Sequence, residues 1–136
     1  MTTTATKRRL LAVLAGALCL PVLGLRADPA AKREQFVYVL RVTPGFHDER
    51  HWTEKENAAI GRHFDRLARA SRSGQVILAG RTTEALADTF GIVIFEAEHG
   101  EAARQFMEAD PAVVAGLMSA SLHPYTVALQ RKPVAK

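Results

Sequence analysis

The chain has 136 residues, about the size of one domain, so its length argues against a second independent core. Apolar residues make up 48% and charged residues 24%, which is typical of a globular protein and excludes an intrinsically disordered one. The net charge of +4 comes from basic residues near the N-terminus; the rest of the chain is close to neutral and has no basic stripe, so nucleic acid is not an expected partner.

Residues 1–27 have the three parts of a secretory signal peptide: basic Lys7-Arg8-Arg9, an apolar run, and small Ala27 before the expected cleavage site. A membrane anchor is the competing interpretation, but Pro21 interrupts the run, which falls short of the ~20 apolar residues needed to span a bilayer. We therefore expect a periplasmic or secreted protein with no membrane contact after cleavage. Cys19 is the sole cysteine and would be lost with the signal, which leaves no disulfide or thiolate site in the mature chain.

After a short polar leader at residues 28–34, we expect the folded domain over residues 35–131. Its first element is the run at 35–43, which is rich in aromatic and branched residues and predicts a β-strand. Beyond a loop, Thr53 followed three residues later by Glu56 forms a capping box that predicts the start of a helix. Apolar residues at helical spacing give this helix one inward face, formed by Ile60, Phe64, Leu67 and Ala68.

Two more strand-like runs follow at residues 75–80 and 89–97, joined by a polar connection. Residues 101–109 predict a second helix. Asp110 and the proline after it predict another helical turn, through residue 118, because Asp is a good N-cap and proline fits the first helical position. A last strand is predicted at residues 122–130. The order β, α, β, β, α, β is the ferredoxin-like α+β arrangement.

The predicted strands are apolar on both faces, whereas the helices can cover only one face of a four-stranded sheet. The alternating sets are Phe36, Tyr38 and Leu40 against Val37 and Val39 in the first strand, and Ile92 and Ile94 against Val93 and Phe95 in the third. On a monomer, roughly several hundred Å² of apolar surface would be exposed, more than soluble monomers usually show. We therefore expect a homodimer of the dimeric α/β-barrel kind, sheet against sheet.

Two residues have side chains suited to acid–base chemistry, and each also has an ordinary structural explanation. His63 lies one turn after Ile60 and one turn before Leu67, which places it on or beside the apolar face of the first helix. There it either tops the core or serves a site. Asp110 is already explained as a helix cap. Spacing alone does not separate these explanations.

Three segments of the chain carry a more specific pattern. They are Arg62-His63-Phe64 in the first helix, Leu78-Ala79-Gly80 at the end of the second strand, and Glu108-Ala109-Asp110-Pro111-Ala112-Val113-Val114-Ala115-Gly116, the most specific of the three. Together they resemble the YCII-related (YciI-like) domain family. The resemblance covers residues 36–129 and implies a ferredoxin-like fold that forms dimeric barrels, with a catalytic pair at His63 and Asp110.

The implied pair makes chemical sense, because a carboxylate that accepts a hydrogen bond from one imidazole nitrogen leaves the other nitrogen free to move a proton near neutral pH. The resemblance implies lyase or isomerase reactions on small cyclic or aromatic substrates. We expect a small-molecule ligand and acid–base catalysis by His63 and Asp110 with no metal or organic cofactor. The alternative is a non-catalytic dimeric module that binds a small ligand in the same cleft or serves interaction alone.

Arg81 and Tyr125 are the candidate substrate-binding residues. Arg81 comes at a strand end, where it either holds an anionic substrate beside His63 or simply lies exposed. Tyr125 either points into the same cleft or packs in the sheet.

The loop at residues 46–52 is long and carries His47 and His51, four positions apart with carboxylates between them. As metal ligands they would need a helical turn to share a face, and a third ligand that the sequence does not identify. We therefore interpret this loop as a polar lid over the pocket, with Trp52 packing beside the start of the helix.

Overall fold

The structure, a computed structural model, describes residue 1 and residues 32–131. Apart from its first residue, the predicted signal peptide at 1–27 lies outside the described residues, as does most of the predicted leader at 28–34. Within the described part, no helix is long and apolar enough to cross a membrane.

The described chain folds as an antiparallel four-stranded sheet with helices packed on one face. The elements are β1 (Glu34–Val42), α1 (Glu54–Arg72), β2 (Val76–Arg81), β3 (Phe90–Ala97), α2 (Gly100–Glu108), α3 (Pro111–Val114) and β4 (Met118–Pro124), with two short 3₁₀ turns, Pro44–Phe46 and Glu49–His51, between β1 and α1. The strands lie in the order β2-β3-β1-β4. With α3 as a single added turn after α2, this confirms the predicted ferredoxin-like α+β fold.

The core lies between the sheet and the helices. Alternate residues of β1 and β3 point into it, and the strand register places Tyr38 opposite Val93. Tyr38 and Phe95 are fully buried, with their rings edge to face at a centroid distance of 5.6 Å. Phe106 of α2 stacks on Phe95 at 4.8 Å. Buried aromatic pairs stabilise a fold by more than the burial of their surface alone, so these contacts hold α2 against the sheet.

The other face of the sheet carries the alternate residues of the same strands. The pairing aligns one row of Leu78, Ile94, Val37 and His123 and a second row of Gly80, Ile92, Val39 and Ser121. Four of the apolar residues are only partly buried, and Leu78 is 49% exposed. We call Val37, Val39, Leu78, Ile92 and Ile94 the outer apolar face.

The last strand lies earlier in the chain than predicted. The sequence pattern predicts it at residues 122–130, whereas β4 covers Met118–Pro124 and pairs with β1. The reason is that the helical turn predicted to reach residue 118 ends at Val114, and Gly116, with a φ of +69°, turns the chain directly back to the sheet. Leu129, inside the predicted strand, is 95% exposed.

The inward face of α1 is rotated relative to the predicted face. Its buried residues are Ala59, Leu67 and Ala70. Phe64, predicted to point inward, is 70% exposed. A rotation of about one residue, roughly 100° on a helix, instead brings His63 and Arg66 into partly buried positions, where both side chains find polar partners.

The capping box at the start of α1 forms as predicted. Thr53 Oγ1 accepts a hydrogen bond from the Lys55 backbone N–H at 3.2 Å, and Glu56 Oε2 accepts one from the Thr53 backbone N–H at 2.9 Å. These bonds satisfy backbone donors that the start of a helix otherwise leaves unpaired. Since α1 carries His63, the cap also stabilises the helix that positions a candidate site residue.

We expect Thr53→Ala to lower the free energy of unfolding by about 1 kcal/mol, the usual cost of losing an N-cap side chain. Urea denaturation followed by circular dichroism measures this change. The matched control is Thr83→Ala, at an exposed threonine outside any helix, and it should leave the free energy of unfolding unchanged. Equal values for the Thr53 variant and the wild type would show that the cap contributes nothing to stability.

Candidate active site

The centre of the site is the carboxylate of Asp110, whose side chain is fully buried. Asp110 is the N-cap of α3, and its Oδ1 atom accepts the backbone N–H of Ala112 at 2.9 Å. Its Oδ2 atom accepts the hydroxyl hydrogen of Tyr38 at 2.9 Å. A buried charge is costly unless it is hydrogen-bonded, and these two donors meet part of that requirement.

His63 supplies a third donor to this carboxylate. Its Nδ1 atom lies 2.8 Å from Oδ1 and 2.9 Å from Oδ2 of Asp110, so the structure brings together two residues 47 positions apart. With Nδ1–H donating to an ionised carboxylate, the neutral ring carries its lone pair on Nε2. Among the described residues, Nε2 has no hydrogen-bond partner. That nitrogen is therefore available to exchange a proton with a ligand.

Burial and hydrogen bonding act on the pKa of Asp110 in opposite directions. Burial raises it, but the hydrogen bond and charge of His63, followed by the hydrogen bonds from Ala112 and Tyr38, outweigh burial and hold the pKa below its ordinary value of 3.8. Asp110 is therefore ionised at neutral pH. Burial, together with the negative charge of Asp110, raises the pKa of Tyr38 above its ordinary value, so the phenol stays protonated and remains a donor.

A largely apolar cavity of about 550 Å³ adjoins His63. Its volume lies within the range of about 300–1,000 Å³ that is usual for small-molecule sites. The apolar part of its lining includes Leu40, Ile60, Phe64, Leu67, Phe90 and Met118. The cavity therefore suits the body of a small organic molecule, with the His63 imidazole as one of its few polar groups.

A second, more open cavity of about 680 Å³ adjoins the first and has a mostly polar lining. Glu49, Arg81 and Leu86 line both cavities. Arg81, predicted to bind substrate, thus lies where the two cavities meet, on the same apolar cavity as His63. Among the described residues, no carboxylate lies within ion-pair distance of its guanidinium.

Tyr125, the other predicted substrate-binding residue, follows the end of β4. Its backbone N–H donates to the Gln35 carbonyl oxygen at 2.9 Å, and its side chain is 42% exposed. In the part of the chain that the structure describes, Tyr125 lines neither cavity. The structure does not bring it to His63.

The loop between β1 and α1 forms part of the cavity wall, the position predicted for a lid. Trp52 lines the apolar cavity, and its indole N–H donates to the Phe46 carbonyl oxygen at 2.8 Å. His47 Nε2 lies 2.9 Å from the Val42 carbonyl oxygen, and His51 is exposed. Within residues 32–131, no group of three His, Cys, Asp or Glu side chains is arranged to hold a metal ion.

Two residues of the site are not among the candidate residues that the sequence analysis names. Tyr38 fits the pattern of a core residue. Because a buried tyrosine hydroxyl usually needs a hydrogen-bond partner, a tyrosine at a predicted core position is the sequence signal that could have indicated its role. Arg66 lies three positions after His63 and so shares its helix face. Its Nη1 atom reaches within 3.9 Å of Asp110 Oδ2. A basic side chain at this spacing from a candidate histidine was the second signal.

The lowered pKa of Asp110 predicts a pH-dependent contribution to stability. Since the carboxyl has its ordinary pKa of 3.8 in the unfolded chain and a lower one in the folded chain, its stabilising effect is present above 3.8 and is lost as the pH falls through the folded-state pKa. Asp110→Asn should therefore cost about 1–3 kcal/mol at neutral pH, and the deficit should shrink in acid.

Urea denaturation of the variant and the wild type at several pH values, from neutral to below 3.8, measures this deficit. Asp65→Asn, which removes an exposed carboxylate from α1, controls for the general effect of one lost charge. A deficit for the Asp110 variant that stays constant from neutral pH into acid would contradict the prediction.

The family model for the YCII-related domain matches residues 28–122. Among solved structures, the chain is similar to 5-chloro-2-hydroxyhydroquinone dehydrochlorinase from Burkholderia phenoliruptrix AC1100 in complex with 2,5-dihydroxybenzoquinone, with 21% sequence identity, a TM-score of 0.47, and coverage of 68% of this chain and 93% of that one. No curated protein matches the chain. Because the family model spans well over half of its length, the chain belongs to the family of YCII-related domains.

Proposed function

We propose that this YCII-related protein is an enzyme that transfers a proton on a small cyclic organic substrate, in a reaction of the lyase or isomerase type. One observation carries the proposal: His63 Nδ1 is bound by the buried carboxylate of Asp110, and the ring lines an apolar cavity of about 550 Å³. An imidazole held through one nitrogen, with the other nitrogen free beside a ligand-sized cavity, is suited to general acid–base catalysis.

In this mechanism His63 Nε2 accepts a proton from the substrate and later returns one. Asp110 does not take up the proton, because its lowered pKa keeps it ionised. Its negative charge instead stabilises the imidazolium that forms during the reaction, and its hydrogen bond holds the ring in one tautomer. A proton transfer of this kind needs no metal or organic cofactor.

Arg81 is the proposed substrate-binding residue. It lines the same cavity as His63 and has no carboxylate partner among the described residues, so its charge is available to a negatively charged part of the substrate. Tyr125 lines neither cavity of the single chain, and the mechanism does not use it.

Solvent exchange tests the proposed proton transfer. A panel of cyclic ketones and lactones is incubated with the protein in D₂O, and the loss of carbon-bound protons is followed by ¹H NMR. We expect the wild type to accelerate exchange of at least one compound by about 10²-fold or more, the usual contribution of a positioned acid–base group. His63→Gln should abolish the acceleration, whereas His51→Gln, at an exposed histidine of the loop, should retain it.

Exchange that persists in folded His63→Gln would exclude His63 as the base.

The alternative function is a non-catalytic module that binds a small ligand. The mostly apolar lining of the same cavity supports it, because such a cavity can hold a ligand without catalysing a reaction. Binding of the panel compounds to the wild type without any exchange would support that alternative.

We also propose that the protein is a homodimer joined through the outer apolar face. Val37, Val39, Ile92 and Ile94 are only partly buried within one described chain, and Leu78 is half exposed. Exposed apolar patches of this kind usually mark association surfaces. A second copy packed sheet against sheet would bury these residues.

Analytical ultracentrifugation at micromolar concentration should find the wild type as a dimer. Ile94→Glu places a charge in the middle of the outer apolar face and should give a monomer, because a buried unpaired carboxylate is costly. Val114→Glu places the same charge at an exposed site on α3, where Val114 is 73% exposed, and should leave the dimer intact. A monomeric wild type would contradict the proposed dimer.

We propose that residues 1–27 direct export and are removed, so that the folded domain works in the periplasm or outside the cell. The basic start, apolar run and small residue of that segment support this proposal.

A further inference from the structure

Arg66 occupies an unusual position for a charged side chain. Its guanidinium lies over the Phe106 ring at 4.1 Å, and its Nη2 atom donates to the Phe106 carbonyl oxygen at 2.7 Å. The other terminal nitrogen, Nη1, is buried 3.9 Å from Asp110 Oδ2 and has no hydrogen-bond partner among the described residues. Stacking and one carbonyl bond thus hold the cation close to the carboxylate that binds His63.

Stability alone gives a poor explanation for this arrangement. A buried donor without an acceptor is unfavourable, and a long apolar side chain could also cover the Phe106 ring. What an apolar side chain could not supply is positive charge beside Asp110. The effect of that charge on the site is therefore the feature that needs an explanation.

A positive charge beside Asp110 changes the free energy of placing a second positive charge on the nearby His63 ring. Asp110 attracts a second proton to the imidazole, because the resulting imidazolium would pair with the carboxylate. Arg66 opposes this, since it is a fixed cation near the same carboxylate and repels an additional positive charge nearby. Because Arg66 and the carboxylate of Asp110 together carry no net charge, the imidazolium form of His63 is stabilised less than it would be beside Asp110 alone.

We propose that Arg66 is a positioning residue that keeps His63 in its neutral form, the form able to accept a proton from a substrate. The role of the neutral ring as a proton acceptor rests on the proposed function. The effect on protonation itself requires no substrate, so it can be measured whether or not a reaction is found.

Other groups near the ring do not replace this effect. Tyr38, from β1, is buried and donates its hydroxyl hydrogen to Asp110, so it adds no charge. Glu49, from the loop after β1, and Arg81, at the end of β2, line the same cavity with opposite charges, and both are exposed to solvent. Arg62 and Asp65, the charged neighbours of His63 on α1, are exposed as well. Solvent screens such charges far more than it screens a buried pair.

The test is an NMR titration of the His63 ring protons, assigned by their absence in His63→Asn. Relative to the wild type, Arg66→Met should raise the midpoint of ring protonation by about one pH unit, the size expected for removing a partly buried charge several Å away. Arg66→Lys keeps the charge and should restore a midpoint close to that of the wild type. Arg62→Met removes an exposed arginine next to His63 and should shift the midpoint by less than about 0.3 pH units.

Circular dichroism checks that each variant is folded, and Arg66→Gln replaces Arg66→Met if the latter is not. An unchanged or lowered midpoint in the folded neutral variant would overturn the inference. So would a shift in Arg66→Lys as large as in Arg66→Met, because geometry rather than charge would then be responsible. A negative exchange assay with a raised midpoint would overturn the proposed reaction and leave the role of Arg66 intact.

Discussion

The rest of the structure depends on the hydrogen bonds that surround the buried carboxylate of Asp110. A fully desolvated negative charge is tolerated only where several donors surround it, and here they come from different parts of the fold. The backbone of α3, the hydroxyl of Tyr38 on β1 and the ring of His63 on α1 all converge on its two oxygens. The same contacts that compensate for burial of the charge also fix the geometry of the candidate site, so the stability of the fold and the shape of the site depend on the same atoms.

The sequence predicted those parts of the fold that depend on local signals. The capping box at Thr53, the N-cap at Asp110 and the order of strands and helices follow from short motifs and periodicity, and the structure has them all. The rotation of α1 could not be predicted in this way. Apolar spacing places Phe64 on the inward face and His63 on or beside it, whereas in the structure His63 is partly buried against Asp110 and Phe64 is 70% exposed.

The parts of the site that local patterns do not predict depend on contacts between distant residues. Only the family resemblance pairs His63 with Asp110, because no local pattern gives the distance between two residues 47 positions apart. Tyr38 joins Asp110 across 72 positions, a contact that exists only once β1 and α3 are packed together. The position of β4 has a similar origin, because pairing with β1 and the turn at Gly116 decide where the strand begins.

The two adjoining cavities have a consequence for the size of the molecule that the protein can hold. Glu49, Arg81 and Leu86 belong to both linings, so these three residues lie where the two cavities meet. A ligand bound beside His63 that extends past these three residues would enter the polar cavity. The apolar cavity would therefore limit the shape of the part of the ligand beside His63, and the polar cavity would limit the length and polarity of any substituent.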